Sequence, residues 1–275
     1  MTRTKEQSAA ALAGKPGFSI ISNEKLLQLY AAMVKCRALE ERVLILYPRS
    51  KLTGKRGANS QEAVAVGVAL DLLPEDTVAA SPGDLIVNYI QGEPLDKLFA
   101  RLYSRATRPS PATQLKLAAV AAQANKAAKN GKISVAFSGN SSGFSPAALK
   151  AASAQQLPIL FVRQSRLPAE PPRGKSQTGA AEIAAAACGI PVIPVDGSDV
   201  VAVYRVSTEA ITHARKGNGP TLIDCIFEPS EARDPLRQME TYLTRKGLFN
   251  EEGKRQVAAA FKRELDDASK RRPGD

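Results

Sequence analysis

Two short polar segments hold the side chains best suited to chemistry. Residues 138–143 read Ser-Gly-Asn-Ser-Ser-Gly and follow the apolar run 133–137, whereas residues 163–166 read Arg-Gln-Ser-Arg and follow the apolar run 159–162. Small residues before a capped helix let backbone amides approach a phosphate, and arginines bind phosphate oxygens. The alternative interpretations are an ordinary Gly/Ser turn and two exposed arginines. Both segments are therefore candidate anion sites rather than established ones.

The remaining reactive side chains favour no second site. His213 is the only histidine, and Cys36, Cys188 and Cys225 lie far apart, so the chain contains no zinc-ligand spacing. On the helix predicted for residues 199–216, His213 falls opposite the apolar stripe, which predicts a solvent-facing residue and not a catalytic base. No Walker, Gly-x-Ser-x-Gly or Gly-x-Gly-x-x-Gly pattern is present.

The composition and the charge of the chain limit the classes of function that it can have. With 275 residues, 44% hydrophobic and 24% charged, the chain has the values of a globular protein. The net charge of +11 is concentrated in basic clusters at residues 49–56 and 270–272. These clusters are either anion-facing patches or a solvated loop and terminus; the absence of a nucleic-acid motif and of Trp disfavours nucleic acid as a partner. Without a membrane-length apolar run or a secretory signal, we predict a cytoplasmic protein with no membrane partner.

The elements that position these residues alternate regularly. Apolar strands are expected at residues 77–81, 133–137, 159–162, 192–195 and 221–227, and helices separate or flank them. Continuous apolar strands alternating with helices predict an α/β fold with a doubly wound parallel sheet flanked by helices. We predict a flexible leader at residues 1–19, a single domain at 20–260 and a charged tail at 261–275.

Several stretches, taken together and in order, resemble one family. They are Leu-Leu-Gln-Leu-Tyr at 26–30, Arg-Ala-Leu-Glu-Glu-Arg at 37–42, Ser-Gln-Glu-Ala-Val-Ala-Val-Gly at 60–67, Leu-Pro-Ile-Leu-Phe-Val at 157–162 and Gly-Pro-Thr-Leu-Ile-Asp at 219–224. This collinear set, spanning about residues 22–260, resembles the alpha subunit of the thiamine-diphosphate-dependent 2-oxo acid dehydrogenases of the pyruvate and branched-chain type.

The resemblance implies a thiamine-diphosphate-binding-like fold and positions for cofactor and metal. The cofactor diphosphate and Mg²⁺ are expected at Gly139, Asn140, Ser141, Ser165 and Arg166, with Asn140 at the metal-ligand position. The family has Gly-Asp-Gly and Asn-Asn at these places. Asn140 keeps an oxygen ligand without the charge, and an arginine at the second place repels a divalent cation.

The family's active-site histidines have no counterpart here. Its His-Gly-His segment corresponds to residues 83–88, which read Gly-Asp-Leu-Ile-Val-Asn. In the family, a beta subunit supplies the glutamate that activates the cofactor, and the cofactor then attacks the 2-oxo carbon with release of CO₂. We assign no catalytic residue to this chain from its sequence.

Three functional hypotheses follow. The first is a catalytically impaired, non-catalytic or accessory alpha-type subunit that keeps the fold and its association surfaces. The second is a functional dehydrogenase subunit whose site a beta partner completes. The third is a metal-independent phosphate-binding module in which Arg163 and Arg166 hold the anion. The resemblance also implies either a beta subunit as partner or self-association into an oligomer.

Overall fold

The computed structural model describes residues 21–46, 61–79, 85–103, 110–138, 144–166, 180–228 and 234–270. The predicted leader, the basic cluster at residues 49–56 and the segment 139–143 lie outside these ranges. The helices of the described residues are α1 (Asn23–Leu46), α2 (Glu62–Ala69), α3 (Leu85–Ile90), α4 (Leu95–Tyr103), α5 (Pro111–Ala128), α6 (Pro146–Ala154), α7 (Ala180–Ala187), α8 (Val200–Arg215), α9 (Pro235–Arg245) and α10 (Glu251–Lys270).

The strands form one parallel sheet, which confirms the predicted α/β fold. They are β1 (Thr77–Ala79), β2 (Ser134–Ser138), β3 (Ile159–Arg166), β4 (Val192–Asp196) and β5 (Thr221–Phe227). Their order across the sheet is β1-β2-β3-β5-β4, and each neighbouring pair is parallel. After β3 the chain forms β4 at the edge of the sheet and then returns to form β5 between β3 and β4. The direction in which successive strands are added therefore reverses next to β3.

Alternate residues of the central strands enter separate hydrophobic clusters on the two faces of the sheet. Leu160 and Val162 of β3 join Ile223 of β5 in a cluster with α1, α2, α8 and α9. Phe161 and Leu222 join a second cluster with α5, α6 and α7. Side chains alternate along a strand, so a sheet buried on both faces needs apolar residues at successive positions. The continuous apolar runs of the sequence supply them.

A third cluster holds the C-terminal helix against the rest of the fold. Phe261 and Leu265 of α10 pack with Leu39 of α1 and Leu98 of α4, and all four are buried. Helix α10 therefore runs through residue 260 without interruption. The predicted boundaries at residues 20–260 and 261–275 stay a prediction.

Sequence and structure differ most at the end of β3. The sequence predicts a strand at 159–162 followed by a polar loop at 163–166, and this prediction is wrong. Strand β3 continues to Arg166 because it pairs along its length with β5, with Arg163 opposite Asp224 and Arg166 opposite Phe227. Pairing with a distant strand satisfies the backbone groups of the polar residues, and local composition does not show such a partner.

Two further local outcomes bear on the sequence predictions. Helix α3 was not predicted, and its residues Leu85, Ile86 and Val87 are buried. The predicted caps Ser145 and Asp199 are confirmed, because each side chain accepts a hydrogen bond from the first turn of its helix. Within the described residues, no helix is both long and apolar enough to cross a membrane.

Candidate functional site at the carboxyl edge of the sheet

A row of polar side chains crosses the three central strands, at the last residue of β2 and at the middle of β3 and β5. Ser138 of β2 lies opposite Arg163 of β3, and Arg163 lies opposite Asp224 of β5. Ser165 lies on the same face of β3, two residues further on. We call these four residues the edge cluster. The row two residues earlier on this face is apolar and consists of Ala136, Phe161 and Leu222.

An ion pair forms the centre of the edge cluster. Arg163 Nε lies 3.1 Å from Asp224 Oδ1, and the two side chains are only 12% and 5% exposed. Arg163 Nε donates to Ser165 Oγ at 2.5 Å, and Ser165 Oγ donates in turn to Asp224 Oδ1 at 2.5 Å. Burial of such a pair is tolerated because the opposite charges and the hydroxyl satisfy one another.

Of the five positions predicted to hold cofactor, the structure describes the side chain of one. Gly139, Asn140 and Ser141 lie outside the described residues. Arg166 ends β3, and its side chain also lies outside them. Ser165 is buried within the edge cluster. The structure therefore brings Ser165 together with Arg163, which the sequence placed in the phosphate hypothesis, and with Asp224, which it did not single out.

Asp224 carried a signal in the sequence. It interrupts the otherwise apolar strand β5, and a carboxylate in a buried strand is seldom found without a partner. The sequence could show that a partner was needed. It could not show that the partner was Arg163, because the two residues are 61 positions apart and meet only through the pairing of β3 with β5.

The donor set of the edge cluster does not fit a divalent cation. Mg²⁺ prefers carboxylate and phosphate oxygens. The carboxylate of Asp224 is already occupied by the Arg163 guanidinium and the Ser165 hydroxyl. Among the described residues, no three His, Cys, Asp or Glu side chains gather in a way that could hold a metal ion.

The same geometry disfavours phosphate binding without a metal at Arg163. A guanidinium attracts phosphate, but the carboxylate of Asp224 beside Arg163 repels it. The ion pair is neutral as a unit, so these two residues do not form a clamp with surplus positive charge.

The other reactive side chains lie outside this cluster. Cys36 and Cys225 are buried, and burial raises the pKa of both thiols, which disfavours the thiolate. Cys188 is half-buried. His213 is half-buried and lies in the last turn of α8, where the sequence predicts a solvent-facing residue.

Comparisons with known proteins agree with the fold and the sequence pattern. A family model described as "Dehydrogenase E1 component" matches residues 107–227. The pyruvate dehydrogenase E1 component subunit alpha of Staphylococcus epidermidis (strain ATCC 12228) and that of Staphylococcus aureus (strain N315) are each 30% identical over 293 residues, which covers 91% of this chain and 78% of the relative. At this identity and coverage, the chain belongs to the family of 2-oxo acid dehydrogenase E1 alpha subunits.

Proposed function

We propose that this chain takes the alpha-subunit place in a 2-oxo acid dehydrogenase assembly as an accessory subunit with an impaired cofactor site. The family generally uses thiamine diphosphate with a divalent metal, and its alpha subunits typically pair with a beta subunit. A beta subunit is therefore the proposed partner. The proposed cytoplasmic location follows from the same assignment.

The single observation that carries the proposal is the ion pair of Arg163 and Asp224. It lies at the middle of the pairing between β3 and β5, beside Ser165, which is one of the positions that the resemblance assigns to the cofactor. Arg163 and the Ser165 hydroxyl engage the one carboxylate of this cluster, so Asp224 is not free to act as a ligand of a divalent metal.

The association of subunits is proposed on family grounds together with the fold. The relatives are named as alpha subunits, and the alignment with them covers 91% of this chain. Loss of metal binding at one edge of the sheet does not require loss of the packing surfaces. An accessory subunit therefore keeps its partner while its own cofactor site is changed.

Calorimetry on the assembled protein tests the proposal. The chain is co-purified with the beta subunit of its own organism and titrated with thiamine diphosphate, with Mg²⁺ and then with EDTA. We expect no magnesium-dependent heat at micromolar cofactor. Micromolar, magnesium-dependent binding to this chain would contradict the proposal and favour a functional subunit whose site the beta partner completes.

A second titration, with inorganic pyrophosphate and no metal, tests the alternative that the chain is a metal-independent phosphate-binding module. That alternative expects binding in EDTA that is lost in Arg166→Ala. Equal and negligible binding by the wild-type chain and this variant would eliminate it.

Restoring the acidic residue at position 140 supplies a further prediction. Asn140→Asp returns the charged oxygen ligand of the family, but the ion pair of Arg163 and Asp224 and the absence of the active-site histidines remain. We expect this variant, in complex with the beta subunit, to show no more decarboxylation of a 2-oxo acid than wild type. The assay is CO₂ release with pyruvate and with a branched-chain 2-oxo acid, and measurable turnover by the single variant would contradict the account.

A further inference from the structure

A second buried charge cluster joins three helices on the other side of the sheet. Arg37 of α1 donates from Nη1 to Asp234 Oδ2 at 2.9 Å and from Nη2 to Glu62 Oε1. Glu62 is the first residue of α2, and Asp234 is the N-cap of α9, where its Oδ1 accepts from the backbone N–H of Arg237 at 2.9 Å. We call Arg37, Glu62 and Asp234 the helix-junction cluster.

The helix-junction cluster is unbalanced in charge and in hydrogen bonds. Two carboxylates share one guanidinium, which leaves a net charge of one negative unit if both are ionised. The side chain of Glu62 is 0% exposed, and its buried Oε2 has no hydrogen-bond partner among the described residues. Within the same residues, Arg37 Nε is also buried and has no partner. Burying an uncompensated charge is strongly unfavourable, and such a group commonly becomes neutral instead.

No neighbouring element supplies a second positive charge to Glu62 within the described part of the chain. From α1 come Arg37 itself and the buried thiol of Cys36, and from α9 comes Asp234. Helix α3 contains no charged residue; its one titratable side chain is Tyr89. The charged or titratable groups of α8 do not pair with Glu62. Tyr204 donates a hydrogen bond to Asp71, and Arg215 forms an ion pair with Asp76. Arg205 and Glu209 are exposed, and His213 is half-buried in the last turn.

The two carboxyl groups of the cluster differ in their surroundings. Burial raises the pKa of Glu62 above its ordinary value, even though Arg37 opposes the rise. Burial acts in the same sense on Asp234, but the hydrogen bonds from Arg37 and from the backbone of α9 outweigh it and lower the pKa. Asp234 is also more exposed, with 37% of its side chain accessible. The environment thus separates the two acids into one that stays ionised and one that takes a proton more readily.

We propose that Glu62 takes up a proton as the helix-junction cluster forms, so that the junction of α1, α2 and α9 is a pH-sensitive device that weakens as Glu62 ionises. In the protonated form, Arg37 and Asp234 are a balanced pair and Glu62 is neutral. Loss of the proton at higher pH places a second negative charge in the buried junction. The inference rests on the helix-junction cluster and does not depend on the proposed function.

The direction of the pH effect follows from linkage. The unfolded chain has an ordinary glutamate, whereas the folded chain binds the proton more tightly. The contribution of Glu62 to stability is therefore fully present below the ordinary pKa of glutamate and is lost as the pH rises through the raised folded value. The opposite holds for Asp234, whose contribution is lost as the pH falls below its ordinary value.

Urea unfolding of the full chain between pH 4 and pH 9 tests the inference with Glu62→Gln, in which a neutral amide replaces the protonated acid. We expect the unfolding equilibrium constant of wild type to rise relative to that of Glu62→Gln with increasing pH, by up to about tenfold per pH unit across the titration. Glu252→Gln, which alters an exposed glutamate of α10, should show no such dependence above pH 5. A ratio between wild type and Glu62→Gln that is constant or falls with pH would overturn the inference.

Carboxyl NMR of chain labelled with ¹³C-glutamate keeps the inference testable if Glu62→Gln does not fold. One glutamate resonance should titrate at a higher pH than the others. In Asp234→Asn, the same resonance should titrate at a lower pH, because Arg37 then pairs with the carboxylate of Glu62 alone. Glutamates that all titrate in the ordinary range in wild type, or a resonance unmoved in Asp234→Asn, would refute the assignment.

Discussion

At the scale of single residues, the edge cluster is defined by the charge types that it brings together. A site that binds a metal with a diphosphate needs oxygen ligands and negative charge, whereas the edge cluster contains a guanidinium bound to its one carboxylate. The opposite charges of this ion pair compensate each other across two neighbouring strands, and the sheet accommodates both side chains.

The same ion pair makes a prediction about stability. Asp224→Ala leaves the Arg163 guanidinium buried without its carboxylate, so we expect a loss of about 3–5 kcal/mol in the free energy of unfolding. Urea denaturation followed by circular dichroism measures it. Asp267→Asn removes an exposed partner of Lys270 and should cost less than about 1 kcal/mol. Equal effects of the two substitutions would show that the Arg163 pair is solvated.

The three thiols supply a prediction about reactivity. Cys36 and Cys225 are buried and burial raises the pKa of each, whereas Cys188 is half-buried. We expect iodoacetamide at pH 8 to modify Cys188 alone in the native chain and all three cysteines in urea. Mass spectrometry of the labelled peptides reads the result. Native labelling of Cys225 at the rate of Cys188 would mean that the central sheet opens far more readily than its packing indicates.

At the scale of elements, helix α2 illustrates how a sequence pattern becomes a packing constraint. Each of its residues is buried, as its almost wholly apolar sequence predicts. It crosses α8 at Gly67, where an added Cβ would lie 2.8 Å from Val203 Cγ1 and 3.1 Å from the backbone nitrogen of Tyr204. The glycine is required for the close approach of two helices and not for a turn.

Gly67→Ala should therefore destabilise the protein even though alanine is the better helix former. Because the added Cβ meets backbone as well as a side chain, we expect overpacking to cost about 2–3 kcal/mol, which exceeds the gain of about 1 kcal/mol in helix propensity. Gly253→Ala in α10 is the matched control, because its Cβ meets nothing closer than 3.8 Å. That variant should be neutral or stabilised in thermal unfolding. A stabilised Gly67→Ala would mean that α2 and α8 are not packed as closely as described.

At the scale of the whole molecule, the long helices α1 and α10 connect the sheet domain to a third hydrophobic cluster. Phe261 contacts Tyr89 with ring centroids 5.3 Å apart, and Arg42 of α1 pairs with Asp266 of α10. The charged composition of the C-terminal segment conceals this face, because the buried residues Phe261, Leu265 and Ala268 of α10 are three or four positions apart with charged residues between them.

Truncation tests the contribution of this helix. Removing residues 261–275 deletes Phe261 and Leu265 from the third cluster and should lower the melting temperature by 5 °C or more, since truncating one such buried aromatic costs about 3–5 kcal/mol. Removing only residues 271–275 should leave it unchanged. Scanning calorimetry compares both truncated chains with the full chain. Equal melting temperatures in all three chains would mean that residues 261–275 act as the charged tail that the sequence predicts.

The sequence by itself determined the parallel α/β sheet, the presence of most helices and the family. These follow from local information: apolar periodicity, caps such as Ser145 and Asp199, and motifs whose order along the chain is preserved. Helix α3 was the exception, since its six residues are too few to show a helical period.

Only the tertiary structure decided which charged residues meet. Arg163 faces Asp224 because β3 and β5 are neighbours, although β4 lies between them in the chain. Arg37, Glu62 and Asp234 likewise come from three distant segments. The physical reason is that a buried charge is compensated by contacts between elements, and the pairing of those elements is set by the packing of the whole molecule.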